Sequence, residues 1–221
     1  MDKPHTSDRF GYKSSYRRNL PHIQPVSADL FVTFRLTGSL PQSVLESLAE
    51  ERRWREEIQT RINKPSRPVI DLARSHFAII EKCLDNPTMG PKWLARPPVA
   101  DLVSEALHYR DGRVYRLDAF SIMPNHVHSV FRPLMRNEQP HSLSSIMHSL
   151  KRNTAKQANQ ILGRMGAFWA HESFDHYIRD AAERTRVIKY VLNNPVKAGL
   201  AKRWQDWPWN YVSVDLLANA S

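Results

Sequence analysis

Apolar and polar residues alternate along the chain in a pattern that predicts strands and helices in mixed order. Residues 30–36 are rich in β-branched and aromatic side chains and predict the first strand. Apolar positions at helical spacing then predict helices over residues 43–62, 69–87 and 98–108. The first of these carries a dense mixture of Glu and Arg, which is typical of a solvent-exposed helix face.

The second half of the chain continues this mixture of elements. Residues 115–123 and 126–131 predict two strands, and the Pro124-Asn125 break between them predicts a hairpin. The remaining elements are a helix over 144–162, a strand over 173–179 and a helix over 181–194. Pro195 is expected to end the last helix. Helices interspersed around a hairpin predict an α+β sandwich with an antiparallel sheet.

The same pattern divides the chain into three parts. Residues 1–28 are polar and basic, are broken by prolines, and predict an N-terminal arm. Residues 29–213 predict one domain, with a charged helical insertion at about 43–66. Residues 214–221 are left as a C-terminal tail.

Composition narrows the class of partner. Lys and Arg total 32 against 22 acidic residues among 221, a net charge of +10, and the pI is about 9.9. That balance indicates a polyanionic partner, with nucleic acid first and a membrane surface second. The single cysteine, Cys83, excludes an intramolecular disulfide framework. No apolar run is long enough for a membrane span, and no signal peptide is recognised, so a soluble protein is expected.

Two histidines form the first candidate site. Side chains alternate along a strand, so His126 and His128 project from one face while Val127 takes the other. Two imidazoles so placed can converge on one divalent cation, but such pairs are also common as ordinary strand residues. No third ligand follows nearby, and the zinc-protease and deaminase patterns are absent.

A second candidate pair lies on the last predicted helix. Tyr190 and Asn194 stand one helical turn apart, at the border of the apolar stripe. The alternative is that Tyr190 is an ordinary boundary tyrosine and Asn194 a C-terminal cap before Pro195. Asp180 and Glu183 resemble a capping box at the start of this helix.

Taken together, these segments resemble a known family. Residues 123–128 (MPNHVH) look like the HUH motif, two histidines around a hydrophobic residue, of single-strand DNA transposases of the insertion-sequence type. Residues 190–200 (YVLNNPVKAGL) look like the tyrosine-bearing segment of the related REP-associated tyrosine transposases. Further similar stretches are 17–22 (RRNLPH), 163–169 (GRMGAFW), 173–180 (SFDHYIRD) and 207–209 (WPW). The resemblance spans about residues 16–213, and the charged helix around 45–64 matches poorly.

This resemblance implies a fold and a chemistry. The fold is a ferredoxin-like sandwich, whose antiparallel sheet carries the HUH histidines and has its helices on one side. A divalent metal, Mg²⁺ or Mn²⁺, is held by His126, His128 and Asn194, with Asn193 ranked second. Tyr190 attacks DNA to form a 5′-phosphotyrosine, without ATP or an organic cofactor. Tyr177 is the competing nucleophile.

The resemblance also implies a bacterial cytoplasmic protein that acts on single-stranded DNA with REP-like hairpins. It has no membrane partner and is a monomer or a homodimer. Lys151, Arg152 and Lys156 on the helix over 144–162 are candidate DNA-binding residues, as are Arg17 and Arg18 in the arm. The alternative for the helix charges is an ordinary solvated face.

Other functions compete with this one. A non-catalytic hairpin DNA- or RNA-binding protein on the same fold would bind without forming an adduct. A replication-initiator-like or relaxase-like nickase would share the chemistry. The presence of all four site residues favours an active enzyme, and the single late tyrosine on a short chain favours the transposase form.

Overall fold

The computed structural model describes residues 16–17, 21–22, 28–61, 68–85 and 90–220. The strands are β1 (Tyr16–Arg17), β2 (Pro21–His22), β3 (Asp29–Leu36), β4 (Tyr115–Ile122), β5 (His126–Pro133), β6 (Met135–Arg136), β7 (Gln139–Pro140), β8 (Trp169–Ile178) and β9 (Asn210–Val212). The helices are α1 (Gln42–Arg61), α2 (Pro68–Asp85), α3 (Pro97–His108), α4 (Leu143–Ile161), α5 (Ala181–Lys197) and α6 (Val214–Ala220). Short 3-10 helices lie at Trp93–Ala95 and Trp204–Asp206.

A five-stranded antiparallel sheet is the centre of the molecule, in the order β8-β3-β5-β4-β9. The chain order β3-α3-β4-β5-α4-β8 is the β-α-β-β-α-β order of a ferredoxin-like sandwich. The predicted fold class and the predicted hairpin of β4 and β5 are therefore confirmed. Helices α1 and α2 stand between β3 and α3 and are additions to this order.

Helices cover both faces of the sheet, not one face as expected. Alternate residues of β3 point to opposite sides, because side chains alternate along a strand. Leu30, Val32 and Phe34 join a core cluster with α3 and α4. Phe31 joins a second cluster with α5, against which Phe77 of α2 also packs. The two helices of the ferredoxin-like order thus share one face, and α5 and α2 occupy the other.

The start of α5 follows the predicted cap in part. The Asp180 side chain is the N-cap and accepts a hydrogen bond from the Glu183 backbone N–H at 2.7 Å. In a capping box Glu183 would return to the Asp180 N–H. Its carboxylate instead accepts from the backbone N–H of Arg179 at 2.9 Å and from the Arg179 guanidinium.

The end of α5 differs from the prediction, because the helix continues through Pro195 to Lys197. Proline lacks an N–H and so removes one helical hydrogen bond, but the last turn is closed by others. The Leu200 N–H donates to the Pro195 carbonyl at 2.8 Å and the Gly199 N–H to the Val196 carbonyl at 3.0 Å. Gly199 has a φ of +70°, so this is a Schellman motif. Asn194 is therefore a residue of the helix and not its cap.

The predicted division into arm, domain and tail stays a prediction. Helix α6 begins just after the predicted boundary at 213, and its Leu216 packs against the cluster that contains α5. Within the described ranges, no helix has a stretch long and apolar enough to cross a bilayer.

Candidate metal and nucleophile site

The two histidines lie on β5, the central strand of the sheet. His126 and His128 are fully buried on the face covered by α5, whereas Val127 belongs to the cluster on the opposite face. The strand pairing sets His128 opposite Thr33 of β3 and His126 opposite Arg35. The predicted shared face of the two histidines is confirmed.

Hydrogen bonds on the far side of each ring fix its orientation. The Asn125 amide nitrogen donates to the Leu84 carbonyl at 3.3 Å, so its oxygen faces His126 Nδ1 at 2.6 Å. That oxygen only accepts, so His126 Nδ1 carries the proton and Nε2 presents a lone pair. His128 Nδ1 lies 2.8 Å from the Thr33 hydroxyl, which can either donate or accept.

The lone pair of His126 is directed at its neighbour. The Nε2 atoms of His126 and His128 are 2.9 Å apart. Burial, together with the charge of Lys197, lowers the pKa of His126 to about 3. Burial lowers the pKa of His128 well below its usual value, and His126 and Lys197 add to this. Both rings are thus neutral near pH 7, which is the form in which imidazole binds a metal ion.

Helix α5 brings Tyr190 to the histidines. The centroid of its ring lies 5.7 Å from that of His128 and 6.0 Å from that of Phe31, edge to face in each case. Phe31 also stacks on His128 at 5.6 Å, so one phenylalanine holds both rings in place. Tyr190 is half-buried and keeps access to solvent.

The competing tyrosine lies elsewhere. Tyr177 of β8 pairs with Leu30 of β3 and packs against the core cluster that contains α3 and α4. It is therefore on the face of the sheet opposite His126 and His128.

Glu81 of α2 joins the cluster and is absent from the sequence-based prediction. Its Oε2 lies 3.5 Å from His128 Nε2 and accepts a hydrogen bond from the Tyr190 hydroxyl. One donor atom from each of Glu81, His126 and His128 lies within 4.8 Å of the others. The signal in the sequence is a glutamate at the apolar spacing of Phe77, Glu81 and Leu84, but it does not say what the glutamate meets.

A charged pair borders this cluster. The Lys197 ammonium of α5 pairs with the Asp85 carboxylate of α2, one turn beyond Glu81. Burial, reinforced by the negative charge of Asp85 and opposed by Lys197, raises the pKa of Glu81 to about 8. The ion pair thus fastens α2 to α5 beside the histidines.

The two asparagines near the end of α5 have different surroundings. Asn194 is buried, and its side-chain oxygen has no hydrogen-bond partner among the described residues. Asn193 is exposed and its amide nitrogen donates to the Lys189 carbonyl at 2.9 Å. Of the two, Asn194 is the one with a buried side-chain oxygen that has no partner among the described residues, which suits a metal ligand better.

The donor set fits a divalent cation. Two nitrogens 2.9 Å apart can both reach one ion at the usual distance of about 2.1 Å. Glu81 Oε1 and Asn194 Oδ1 are buried oxygens without a partner in the described ranges. Neutral imidazole with carboxylate and amide oxygens suits Mn²⁺ and is tolerated by Mg²⁺. The buried group of Glu81, His126 and His128 could therefore hold a metal ion.

The predicted DNA-binding residues are not part of this cluster. Arg152 and Lys156 are exposed on α4, which packs against the opposite face of the sheet. The Lys151 ammonium donates to the carbonyls of residues 170–172 at 2.9 to 3.2 Å and so ties α4 to β8. For Arg17 the backbone alone is described, and Arg18 lies outside the described residues.

Two curated proteins are similar to part of this chain. A putative REP-associated tyrosine transposase of Haemophilus influenzae is 25% identical over 107 residues, which are 45% of this chain and 60% of that protein. A REP-associated tyrosine transposase of Escherichia coli K12 is 26% identical over 98 residues, 44% of this chain and 54% of that protein. The match thus spans little more than half the length of these relatives. No protein-family profile matches the chain.

A solved structure has a similar fold over most of the chain. It is a REP-associated tyrosine transposase bound to a REP hairpin, with a TM-score of 0.50 and 18% identity, and the match covers 90% of this chain and 82% of that one. The resemblance of this protein to the REP-associated tyrosine transposases is thereby confirmed, in sequence over part of the chain and in fold over nearly all of it.

Proposed function

We propose that this protein, similar in sequence and fold to the REP-associated tyrosine transposases, cleaves and rejoins single-stranded DNA at hairpin-forming repeats through a 5′-phosphotyrosine. The observation that carries the proposal is one contact. The ring of Tyr190 lies 5.7 Å from that of His128, whose Nε2 faces that of His126 at 2.9 Å. A half-buried phenol beside two neutral imidazoles is the arrangement that this chemistry requires.

Tyr190 is the nucleophile in this proposal. Its hydroxyl oxygen attacks the phosphorus of a DNA phosphodiester, and the bond from phosphorus to the 3′ oxygen breaks. The phenol proton is lost and the released 3′ oxygen gains one. Covalent catalysis conserves the phosphoester bond, so a 3′-hydroxyl can later reverse the reaction and rejoin the strand. Tyr177 is a poor alternative, because it packs on the opposite side of the sheet.

His126, His128 and Asn194 would hold the divalent cation, Mg²⁺ or Mn²⁺. When bound, the cation supplies charge neutralisation and polarisation of the phosphate oxygens. The surrounding residues contribute by orienting these ligands and the tyrosine. Asn125 and Thr33 orient the two rings, and the helical spacing of Tyr190 and Asn194 keeps the hydroxyl and the amide oxygen on one side of α5.

DNA carrying a REP-like hairpin is the proposed partner. The solved structure with the same fold holds a REP hairpin, and the net charge of +10 favours a polyanion. Arg152 and Lys156 on α4, with Arg17 and Arg18 in the arm, are the proposed phosphate contacts. Lys151 belongs to the same set, although its ammonium already binds three carbonyl groups. These residues would contact the phosphates of the duplex stem, and the single-stranded part of the DNA would extend to Tyr190.

The test is formation of a covalent protein–DNA adduct. Labelled single-stranded oligonucleotides with hairpins, taken from repeats that flank the gene, are incubated with Mg²⁺ or Mn²⁺ and separated on denaturing gels. The wild-type chain is expected to form an adduct that disappears with EDTA. Tyr190→Phe should abolish the adduct and keep hairpin binding, because it removes one oxygen only. Tyr177→Phe is the matched control and should still form the adduct.

Two outcomes would overturn this proposal. An adduct that survives in Tyr190→Phe and disappears in Tyr177→Phe would assign the nucleophile to the wrong tyrosine. Tight hairpin binding by the wild type, without cleavage under either metal, would favour the alternative of a non-catalytic hairpin-binding protein.

A further inference from the structure

We propose that Glu81, carried by the added helix α2, is a further ligand of the cation at His126 and His128, and that the cation and the Tyr190 hydroxyl compete for this carboxylate. The inference rests on the proposed function, since it concerns the same cation. Its consequence is that binding of the cation releases the hydroxyl of the nucleophile. Glu81 would then couple occupancy of the metal site to release of the Tyr190 hydroxyl.

The geometry carries the first half of this proposal. Glu81 Oε2 is 3.5 Å from His128 Nε2, and donor atoms of Glu81, His126 and His128 all lie within 4.8 Å of one another. The Glu81 residue is only 6% exposed, and its Oε1 has no hydrogen-bond partner in the described part of the chain. Oε2 thus lies beside a candidate metal-binding nitrogen, and Oε1 of the same carboxyl group is buried without a partner among the described residues.

The surroundings of Glu81 do not otherwise explain why an acid is buried there. Asp85, one turn later on α2, has the Lys197 ammonium as its partner. The contact of Glu81 with a basic side chain in the described ranges is with the imidazole of His128, at 3.5 Å. Burying a carboxyl group without a cationic partner is costly. A divalent cation would supply the missing positive charge.

The second half of the proposal follows from the contact with Tyr190. In this structure the Tyr190 hydroxyl donates to Glu81 Oε2, the same oxygen that lies near His128. An oxygen bound to a cation is a weaker acceptor for a phenol, because its electron density is drawn to the cation. The hydroxyl would then be freed to face a phosphodiester.

Helix α2 does not have to move for this exchange. Lys197 holds Asp85, and the Asn125 amide holds the Leu84 carbonyl at 3.3 Å. Both contacts fix the C-terminal end of α2, within about one turn after Glu81, and neither uses the Glu81 carboxylate. The exchange therefore requires only rotation of the Glu81 side chain.

The test measures Mn²⁺ binding to the full chain without DNA, by electron paramagnetic resonance of free Mn²⁺ and by titration calorimetry. Glu81→Gln keeps the size and polarity of the side chain but removes its charge, and should weaken Mn²⁺ binding more than about tenfold. Asp85→Asn is the matched control on the same helix and should weaken binding much less. Glu81→Asp keeps the charge on a shorter side chain, and its Mn²⁺ affinity should fall between those of the wild type and Glu81→Gln. It replaces Glu81→Gln in the test if the far-UV circular dichroism spectrum shows that Glu81→Gln does not fold.

The competition makes an opposite prediction for the tyrosine. Tyr190→Phe removes the rival for the carboxylate and should tighten Mn²⁺ binding by about two- to tenfold, the range expected for one hydrogen bond. A merely structural contact between Tyr190 and Glu81 would not shift the affinity in this direction. An unchanged or weaker affinity in Tyr190→Phe would overturn the competition.

His126→Ala separates failure of this inference from failure of the proposed function. If Glu81→Gln binds Mn²⁺ as the wild type does while His126→Ala loses it, Glu81 is not a ligand and the proposed metal site survives. If the wild type binds no Mn²⁺ at all, both the metal-dependent function and this inference are overturned.

Discussion

The two faces of the central sheet are built from the same strands but differ in chemistry. The face under α3 and α4 is a continuous apolar cluster, with Phe34, Phe131 and Leu117 almost fully buried. The face under α5 and α2 also has an apolar cluster but adds buried histidines, carboxylates and amides. We call the face under α3 and α4 the dry face, and we expect it to supply most of the stability, because burial of apolar surface is the main favourable term in folding. The other face can then keep poorly satisfied polar groups.

A bulge in β4 lets that strand serve both faces. The pairing with β5 shifts between Leu117 and Ala119, so that Leu117 and Phe120 both belong to the apolar cluster. The extra residue, Asp118, is buried and binds the Arg184 guanidinium of α5 at 2.6 Å. Neighbouring residues of one strand thus contribute apolar packing to one face and a buried charge to the other.

The largest expected effect is the loss of stability on removing a side chain from the dry face. Phe34 is fully buried, with its ring centroid 4.9 Å from that of Trp169. Phe34→Ala should lower the free energy of unfolding by about 3–5 kcal/mol, because it leaves a cavity in a packed core. Urea unfolding in EDTA, followed by circular dichroism, measures it.

The matched control is the same substitution on the other face. Phe77 stacks on Phe174 with centroids 4.0 Å apart but is only half-buried. Phe77→Ala should therefore cost clearly less than Phe34→Ala. Equal losses would contradict the assignment of stability to the dry face.

An intermediate effect of opposite sign is expected at the site. Glu81→Met replaces a buried carboxyl that has one unpartnered oxygen, and an unsatisfied buried polar group costs about 1–3 kcal/mol. Without metal, the free energy of unfolding should rise by about 1 kcal/mol, the lower end of that range, since the Tyr190 hydroxyl loses its acceptor. The same urea titration in EDTA measures the change.

Mn²⁺ should reverse the order of stability of the wild type and Glu81→Met. Adding Mn²⁺ is expected to raise the urea midpoint of the wild type more than that of Glu81→Met, because a ligand stabilises the state that binds it. A marked loss of stability in metal-free Glu81→Met would show that the carboxylate supports the fold and not a site.

The smallest effect concerns the outer surface of α4, above the dry face. If Arg152 contacts a phosphate, Arg152→Gln should reduce the slope of log K against log salt concentration by about 1. Fluorescence anisotropy of a labelled hairpin at several salt concentrations measures the slope. Asn153→Ala, an exposed neutral neighbour, should leave the slope unchanged. An unaltered slope in Arg152→Gln would remove α4 from the DNA-binding surface.

Much of the fold could be predicted because its signals are local. Alternation along 126–131 put His126 and His128 on one face, and the Pro124-Asn125 break predicted the hairpin that holds them. The end of α5 predicted from Pro195 was wrong, because a proline in the last turn removes only one helical hydrogen bond. The Gly199-Leu200 pair that follows closes the last turn, and a glycine after a helix is itself a readable sign.

The rest of the site could not be predicted because it depends on distant packing. Glu81 occupies an apolar position on α2, and only the docking of that helix against α5 brings it to Tyr190, 109 residues away. The second helical layer could not be predicted for the same reason, because it also depends on packing between distant segments. The resemblance described the helices on one side, whereas α5 and the added α2 cover the face that holds the histidines.

The long separations within the site set the order in which it is built as the chain is synthesised. Thr33 and His128 are 95 residues apart, Glu81 and Tyr190 109, and Asp85 and Lys197 112. The chain is synthesised from its N-terminus, so β3, α2 and the histidine hairpin leave the ribosome before α5. The proposed nucleophile, Tyr190, is thus the last part of the site to be synthesised, and a partly translated chain carries His126 and His128 without it.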